Sequence, residues 1–278
     1  MKNFKGFVLT KLPVMGLLVS LVISQSALAA KAIEFWDARN DESTEIVDHG
    51  KWQEILDTYL NDEDPSGVNR FDYKSVSSED SDKLDAYLDY MESQSPRQLN
   101  TQEQFAYWVN LYNAKTVDYI IDGVQKDNIK SIKEIRSKLV IPGPWKRSDL
   151  KVEGKKLSLD NIEHGILRPI WNDHRIHYAV NCASIGCPNL LKTAYTSENT
   201  EELLDLAEEA FLSHPRAVRV DGDQVILSSL FDWYSADFAD SQSEFLEYAS
   251  DFVAPEIADI LLNEPSVTYE YDWGLNAQ

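Results

Sequence analysis

NTQEQFAYWVNLYNAKTVDYIIDG, residues 100–123, decides the fold. Asn100 through Glu103 has the composition of a helix start, and the apolar and aromatic residues that follow predict the longest helix of the chain, Gln102 to about Asp122, with Gly123 able to end it. Upstream, DHGKWQEILDTYL (48–60) places Trp52, Ile55, Leu56, Tyr59 and Leu60 at helical spacing, and NDEDPSG breaks the pattern. A short strand-like FDY follows, and the periodic segment from Ser81 reads as a further helix ending before Pro96.

Downstream, the paired prolines of IPGP (141–144) make a loop, and KVEGKKLSL (151–159) reads as a small hairpin turning at Gly154. Ser158 or Asp160 caps a helix through IEHGILRPIW, where Pro169 marks an end or a kink. RIHYAV (175–180), rich in β-formers, reads as the strongest strand of the chain. An acidic helix, the hairpin-like AVRVDGDQVILSS, FDWYSADF, a helix over SEFLEYASDFV and a final VTYEYDWG complete the reading. Helices outnumber strands without regular βα alternation, so the expected class is α+β: a predominantly helical single domain with a small, mainly antiparallel sheet.

The amino-terminal residues set the expected compartment. Lys2, Lys5 and Lys11 precede an apolar run from about Leu12 to Ile23, and Ala27-Leu28-Ala29 supplies the small residues of a cleavage site. Residues 1–29 therefore read as a secretory signal peptide, with a mature chain beginning near Ala30 that is periplasmic or secreted and has no stable membrane insertion after cleavage. The 278-residue chain carries a net charge of −21, and without the three lysines of the leader the balance is 23 basic against 47 acidic residues. So acidic a surface argues against nucleic acid and anionic lipid as partners. A small molecule, a peptide or an envelope protein remains as the partner class.

YWVNLYNAKT (107–116), LDNIEHGILR (159–168), RIHYAVNCASIGCPNL (175–190) and FDWYSADF (231–238) occur in an order and spacing that resemble the family called domain of unknown function 547. The likeness extends upstream through VDHGKWQEILDTYL. The resemblance implies no particular activity, so the chemistry has to come from the residues. It also implies that cysteine at the position of Cys182 is the more characteristic of the two, serine often standing at the position of Cys187.

Three readings are open for the cysteine pair. Cys182 and Cys187 form a disulfide closing a short loop, as suits an oxidising compartment; or Cys182 is a nucleophile; or His164, His177, Cys182 and Cys187 bind zinc, although the C-x4-C spacing and the unpaired histidines fit that poorly. As a nucleophile, Cys182 would end the RIHYAV strand facing a cleft, with the ASIG turn offering backbone N–H groups to an oxyanion. His164 would be its base, Arg168 sharing the face of His164 and Glu163 pointing elsewhere on the same helix. His177, an odd number of strand positions from Cys182, would face away from the thiol. Cys187, ahead of Pro188, would sit at a helix start that lowers its pKa, making it the second candidate nucleophile or a resolving thiol. Asn110 and Asn113 are buried amides able to orient an imidazole, and Asp237 is expected to cap or to pair with Arg168. No metal or cofactor is expected: calcium-loop and phosphate-cradling glycine patterns find no match. The sequence thus points to a thiol-dependent hydrolase or acyl transferase centred on Cys182, with a non-catalytic, disulfide-stapled binding module as the rival.

Overall fold

The structure is a computed structural model that describes residues 30–135, 143–222 and 224–278. The signal-peptide reading, part of the IPGP loop and Asp223 of the second hairpin turn lie outside those residues. The described chain is a mainly helical α+β domain. In order it forms α1 (Gly50–Tyr59), β1 (Leu60–Asn61), β2 (Arg70–Phe71), α2 (Ser78–Ser93), α3 (Thr101–Asp127), β3 (Leu150–Val152) and β4 (Lys155–Leu157). Next come α4 (Leu159–Ile162), a π-helical turn (Glu163–Leu167), α5 (Arg168–Trp171), α6 (Ile176–Ala179) and α7 (Thr200–Leu212). The last part holds β5 (Val218–Asp221), β6 (Gln224–Ser228), α8 (Leu230–Trp233), α9 (Ser235–Phe238), α10 (Gln242–Ser250), α11 (Pro255–Leu261) and β7 (Ser266–Glu270). The β1–β2, β3–β4 and β5–β6 pairs are antiparallel, whereas β7 returns parallel to β6 with Val225 opposite Val267. A parallel neighbour requires a crossover, which α8 to α11 supply.

The helix α3 is the axis of the larger core. Asn100 caps it by accepting from the Glu103 N–H at 2.9 Å, as its sequence predicts. Phe105 through Val109 are buried without a polar interruption, so this helix is surrounded rather than laid on a surface. Each such large apolar side chain contributes about 1.5–3 kcal/mol on burial. The helix runs a turn beyond Gly123 and ends at Asn128, whose left-handed φ of 51° closes it. Gly123 serves another purpose: a Cβ there would lie 2.5 Å from Cδ1 of Ile129, so its absence lets the chain fold back against the helix.

A second, smaller core gathers α7, α8, α10 and the three-stranded sheet around Phe211, Val225 and Phe231. The two cores meet at α6. Ile176 and Ala179 pack into the first, while Tyr178 packs into the second. This overturns the strand expected at 175–180. A segment buried on every side carries no periodicity to separate strand from helix. The turn is started by Asp173, whose carboxylate accepts from the Arg175 N–H at 2.8 Å and whose carbonyl accepts from the Ile176 N–H at 3.2 Å. Only Val180 is extended, and it delivers the chain to Cys182.

Candidate functional site

A cavity of about 450 Å³ opens where the two cores meet. Its floor carries Cys182, Cys187, Glu163, His164 and His177, and its walls are aromatic: Tyr112, Trp145, Trp233, Tyr234, Tyr271 and Trp273. Trp233 and Tyr234 therefore act as groove walls, whereas Trp108 is core.

Both cysteines are free thiols. The Cys182 sulfur stands 3.0 Å from the Tyr271 hydroxyl and 3.1 Å from the Ser184 hydroxyl, and those two hydroxyls are 2.9 Å apart. Two hydroxyl protons serve three contacts, so both can turn onto the sulfur when it becomes anionic. A hydrogen bond from the Cys187 thiol, opposed by burial and joined by Ser184 and Tyr271, brings the Cys182 thiol down to about 7. Burial instead holds Cys187 well above the usual thiol range. The chain after Pro188 is not helical, so the helix start expected to activate Cys187 does not exist. The expected order of reactivity, Cys182 before Cys187, keeps its sense but gains a different cause.

The oxyanion hole expected from the ASIG turn is reduced to a single backbone donor. The Ala183 N–H donates to Asn181 Oδ1 at 2.7 Å, Ile185 to the Gly274 carbonyl at 2.8 Å, Gly186 to the Asp272 carbonyl at 2.9 Å and Cys187 to the Ser184 carbonyl at 3.1 Å. The Cys182 N–H itself donates to the Cys187 sulfur at 3.1 Å. With these groups committed, the Ser184 N–H is the turn's one backbone donor without a partner among the described residues, and the Tyr271 and Ser184 hydroxyls are placed beside it to meet developing negative charge. Burial keeps the Tyr271 phenol well above its usual range, so its proton is available to donate. Tyr271 reaches the thiol because the segment after β7 lies against the thiol loop. A Cβ on Gly186 would come within 2.8 Å of the Asp272 N and 3.0 Å of its O. Gly186→Ala is therefore expected to push Tyr271 off the sulfur and raise the midpoint of Cys182 alkylation by roughly one pH unit, about 1.4 kcal/mol of lost thiolate stabilisation. An unchanged midpoint in a folded variant would remove Tyr271 from this role.

The histidines are arranged differently from expectation. Neither His164 nor His177 hydrogen-bonds the Cys182 sulfur among the described residues; the sulfur is held by the Ser184 and Tyr271 hydroxyls. His164 Nδ1 lies 3.0 Å from Arg168 Nη1, confirming the shared helical face of the two residues. Arg168 can only donate, so this Nδ1 is an acceptor whose lone pair is already engaged, and the proton of the neutral ring sits on Nε2, leaving no free nitrogen to take the thiol proton. His177, expected to face away, lines the same cavity as Cys182, because α6 is a helical turn and not a strand. Its Nε2 is 2.7 Å from Asp237 Oδ2, its ring stacks on Tyr234 at 4.2 Å, and burial lowers its pKa against the pull of Asp237. Asp237 also takes Arg168 Nε at 2.5 Å, which bears out the expected pairing. Burial pushes the Asp237 carboxyl up, but the hydrogen bonds from His177 and Arg168 outweigh it and hold it well below the usual carboxylate range. Glu163 meets a neighbouring element, as its direction on the helix suggests: the Tyr112 hydroxyl of α3 donates to its Oε2 at 3.0 Å. The π-helical turn at Glu163–Leu167 is a local feature that frequently accompanies functional sites.

Asn110 and Asn113 do not reach an imidazole. Asn110 donates to the Tyr195 carbonyl at 2.7 Å and accepts from the Tyr195 N–H at 3.1 Å, and Asn113 joins the Ala179 carbonyl at 2.9 Å to the Asn181 N–H at 2.8 Å. Both amides are committed to backbone, so they position loops and leave the imidazoles to other partners. Residues that the sequence did not bring forward are Tyr271, Trp273 and Ser184. Their signals were weak: a hydroxyl two residues past the cysteine, and a pair of aromatic residues in YDWG, about ninety positions away.

Comparison with known families gives one match. Residues 96–212 fit the family model described as "Protein of unknown function, DUF547". No curated protein and no solved structure matches. The matched segment holds Asn110, Asn113, Glu163, His164, Arg168, His177, Cys182 and Cys187, while Asp237 and Tyr271 lie beyond it. Over residues 96–212, the chain is similar to the DUF547 family.

Proposed function

We propose that the protein is an exported, thiol-dependent hydrolase or acyl transferase in which Cys182 is the nucleophile. The observation that carries this reading is the half-buried Cys182 thiol at the floor of an aromatic cavity, lowered to about 7 by donors that surround its sulfur. At neutral pH about half of such a thiol is thiolate, so attack on a carbonyl needs no base in direct contact. The tetrahedral oxyanion meets the Tyr271 and Ser184 hydroxyls. His177, with its proton fixed on Nε2 by Asp237, presents a bare Nδ1 toward the cavity and takes the proton of the water or other nucleophile that resolves the acyl-enzyme. This moves the base from His164 to His177, with Asp237 as its orienting partner and Glu163 alongside. The cavity accepts a small molecule or a peptide segment, and no step calls for a metal or cofactor.

An activated ester tests the reading without knowledge of the natural substrate. With p-nitrophenyl acetate, the wild type is expected to release a burst approaching one p-nitrophenolate per chain and to gain one acetyl group on Cys182. Cys182→Ser is expected to lose both. A burst that survives Cys182→Ser, or that modifies Cys187, contradicts the assignment. A 182–187 disulfide that persists in mild reductant would instead favour the non-catalytic binding module.

A further inference from the structure

At the floor of the cavity, acceptors face one another with no donor between them. Glu163 Oε1 stands 3.7 Å from His164 Nδ1 and 4.0 Å from His177 Nδ1. His164 Nδ1 already accepts from Arg168, which has no acceptor capacity of its own. Asp237 is ionised, so its bond to His177 places the imidazole proton on Nε2 and leaves Nδ1 bare in the neutral ring. Glu163 satisfies its other oxygen through Tyr112. Among the described residues, Glu163 Oε1 and His177 Nδ1 therefore have no hydrogen-bond donor, although both residues are more than nine-tenths buried and both line the cavity. Both residues open onto the cavity, where a ligand that brings N–H groups can supply the missing donors.

From this arrangement we infer that the site seats a primary ammonium group, between Glu163 Oε1 and His177 Nδ1, so that its ligands are alkylamines. A neutral hydroxyl brings one proton, whereas an ammonium brings three and a charge that complements Glu163. Arg168 is already matched by Asp237 at 2.5 Å, and the one cation lining the cavity among the described residues, Lys146, is accompanied there by Asp160 and Glu163, so neither bars a second positive charge. The walls suit the same guest: Trp145, Trp233 and Tyr271 line the cavity, and aromatic rings attract cations. The excess of acidic residues over the whole chain, −21 net, raises the local concentration of cations and lowers that of anions.

In acyl transfer this amine would belong to the substrate, and that part rests on the thiol reading; the binding itself does not. The test is therefore made on the full chain with Cys182→Ser, where no thiol chemistry can occur. Tryptophan fluorescence is titrated with n-butylammonium, n-butanol and n-butyrate. Saturation by butylammonium at a concentration at least tenfold below that for butanol, with no response to butyrate, is the expected result. Adding Glu163→Gln supplies a side-chain N–H₂ to the donor-free site; that variant should keep or raise Tm and lose the tenfold preference. Saturation by none of the three, equal binding of butanol and butylammonium, or a preference that survives Glu163→Gln in a folded protein overturns the inference. One tightly bound metal ion per freshly purified chain, removed by chelator, overturns it as well, since the acceptors would then have another occupant. Such a failure leaves the ester burst of the wild type untouched, and a missing burst leaves this titration untouched.

Discussion

Asp237→Ala is expected to lower stability by about 3 kcal/mol, as for removal of one member of a buried ion pair. The carboxylate is the only acidic partner within 4 Å of the Arg168 guanidinium and of His177 Nε2 among the described residues, and the side chains of Arg168 and His177 are 10% and 1% exposed. Their positive or donating groups would stay buried without an acceptor, which costs more than the pair itself was worth. The pH dependence has a definite sign. Asp237 has a depressed folded pKa, so its contribution is complete above its unfolded value, about 3.9, and is lost as pH falls below it. His177 is also depressed, by burial, so the fold loses stability as pH falls below about 6.5, where the unfolded chain takes up a proton that the folded one refuses. Urea unfolding of wild type and variant at pH 7 measures the loss, and the wild type at pH 5 measures the His177 effect, the Asp237 contribution being still complete there. A loss below about 0.5 kcal/mol at pH 7 would mean that Asp237 behaves as a surface ion-pair partner.

Asn113→Ala is expected to cost about 3 kcal/mol, because it strands two buried backbone groups at once, the Ala179 carbonyl and the Asn181 N–H, each worth roughly 1–3 kcal/mol when unpaired. The effect should extend to the thiol. Asn181 passes the constraint on, accepting from the Ala183 N–H at 2.7 Å and donating to the Pro188 carbonyl at 2.7 Å, and so fixes both ends of the loop that holds Cys182. Ala183 holds a left-handed φ of 58°, a conformation that an alanine keeps only when its surroundings impose it. Loss of the Asn113 clamp should therefore make Cys182 alkylation slower at neutral pH, beside the drop in Tm. A stable variant with unchanged alkylation would show that the loop is held by other contacts.

How much of this was legible in the sequence follows from where each signal resides. The α3 helix and both hairpins were readable because cap residues, turn glycines and apolar spacing are local. The turn at 176–179 was not, because a segment buried in two cores is apolar on every face, and Asp173 was the one local sign of helix. That error placed His177 on the wrong side of the thiol. The Arg168–Asp237 pair was foreseen, but its second partner, His177, was hidden by the same mistake. Tyr271 could not be found locally at all: it approaches Cys182 from 89 residues away, through a close backbone contact that only the absence of a side chain on Gly186 permits. Asn110 and Asn113 stand out as polar residues on an apolar helix, but an amide that orients an imidazole has the same sequence signal as one that fastens a loop.

Site-resolved alkylation tests the central claim, that Cys182 is a poised thiolate and Cys187 a buried, unreactive thiol. The native protein, without reductant, is treated with iodoacetamide between about pH 5 and 9 and each cysteine is read by peptide mass spectrometry, with a denatured sample to count thiols. The account predicts two thiols per denatured chain, a labelling midpoint for Cys182 of about 7 in the native state and no native labelling of Cys187. A Cys182 midpoint at about 8.5, the value of a free cysteine, or faster labelling of Cys187, would contradict it.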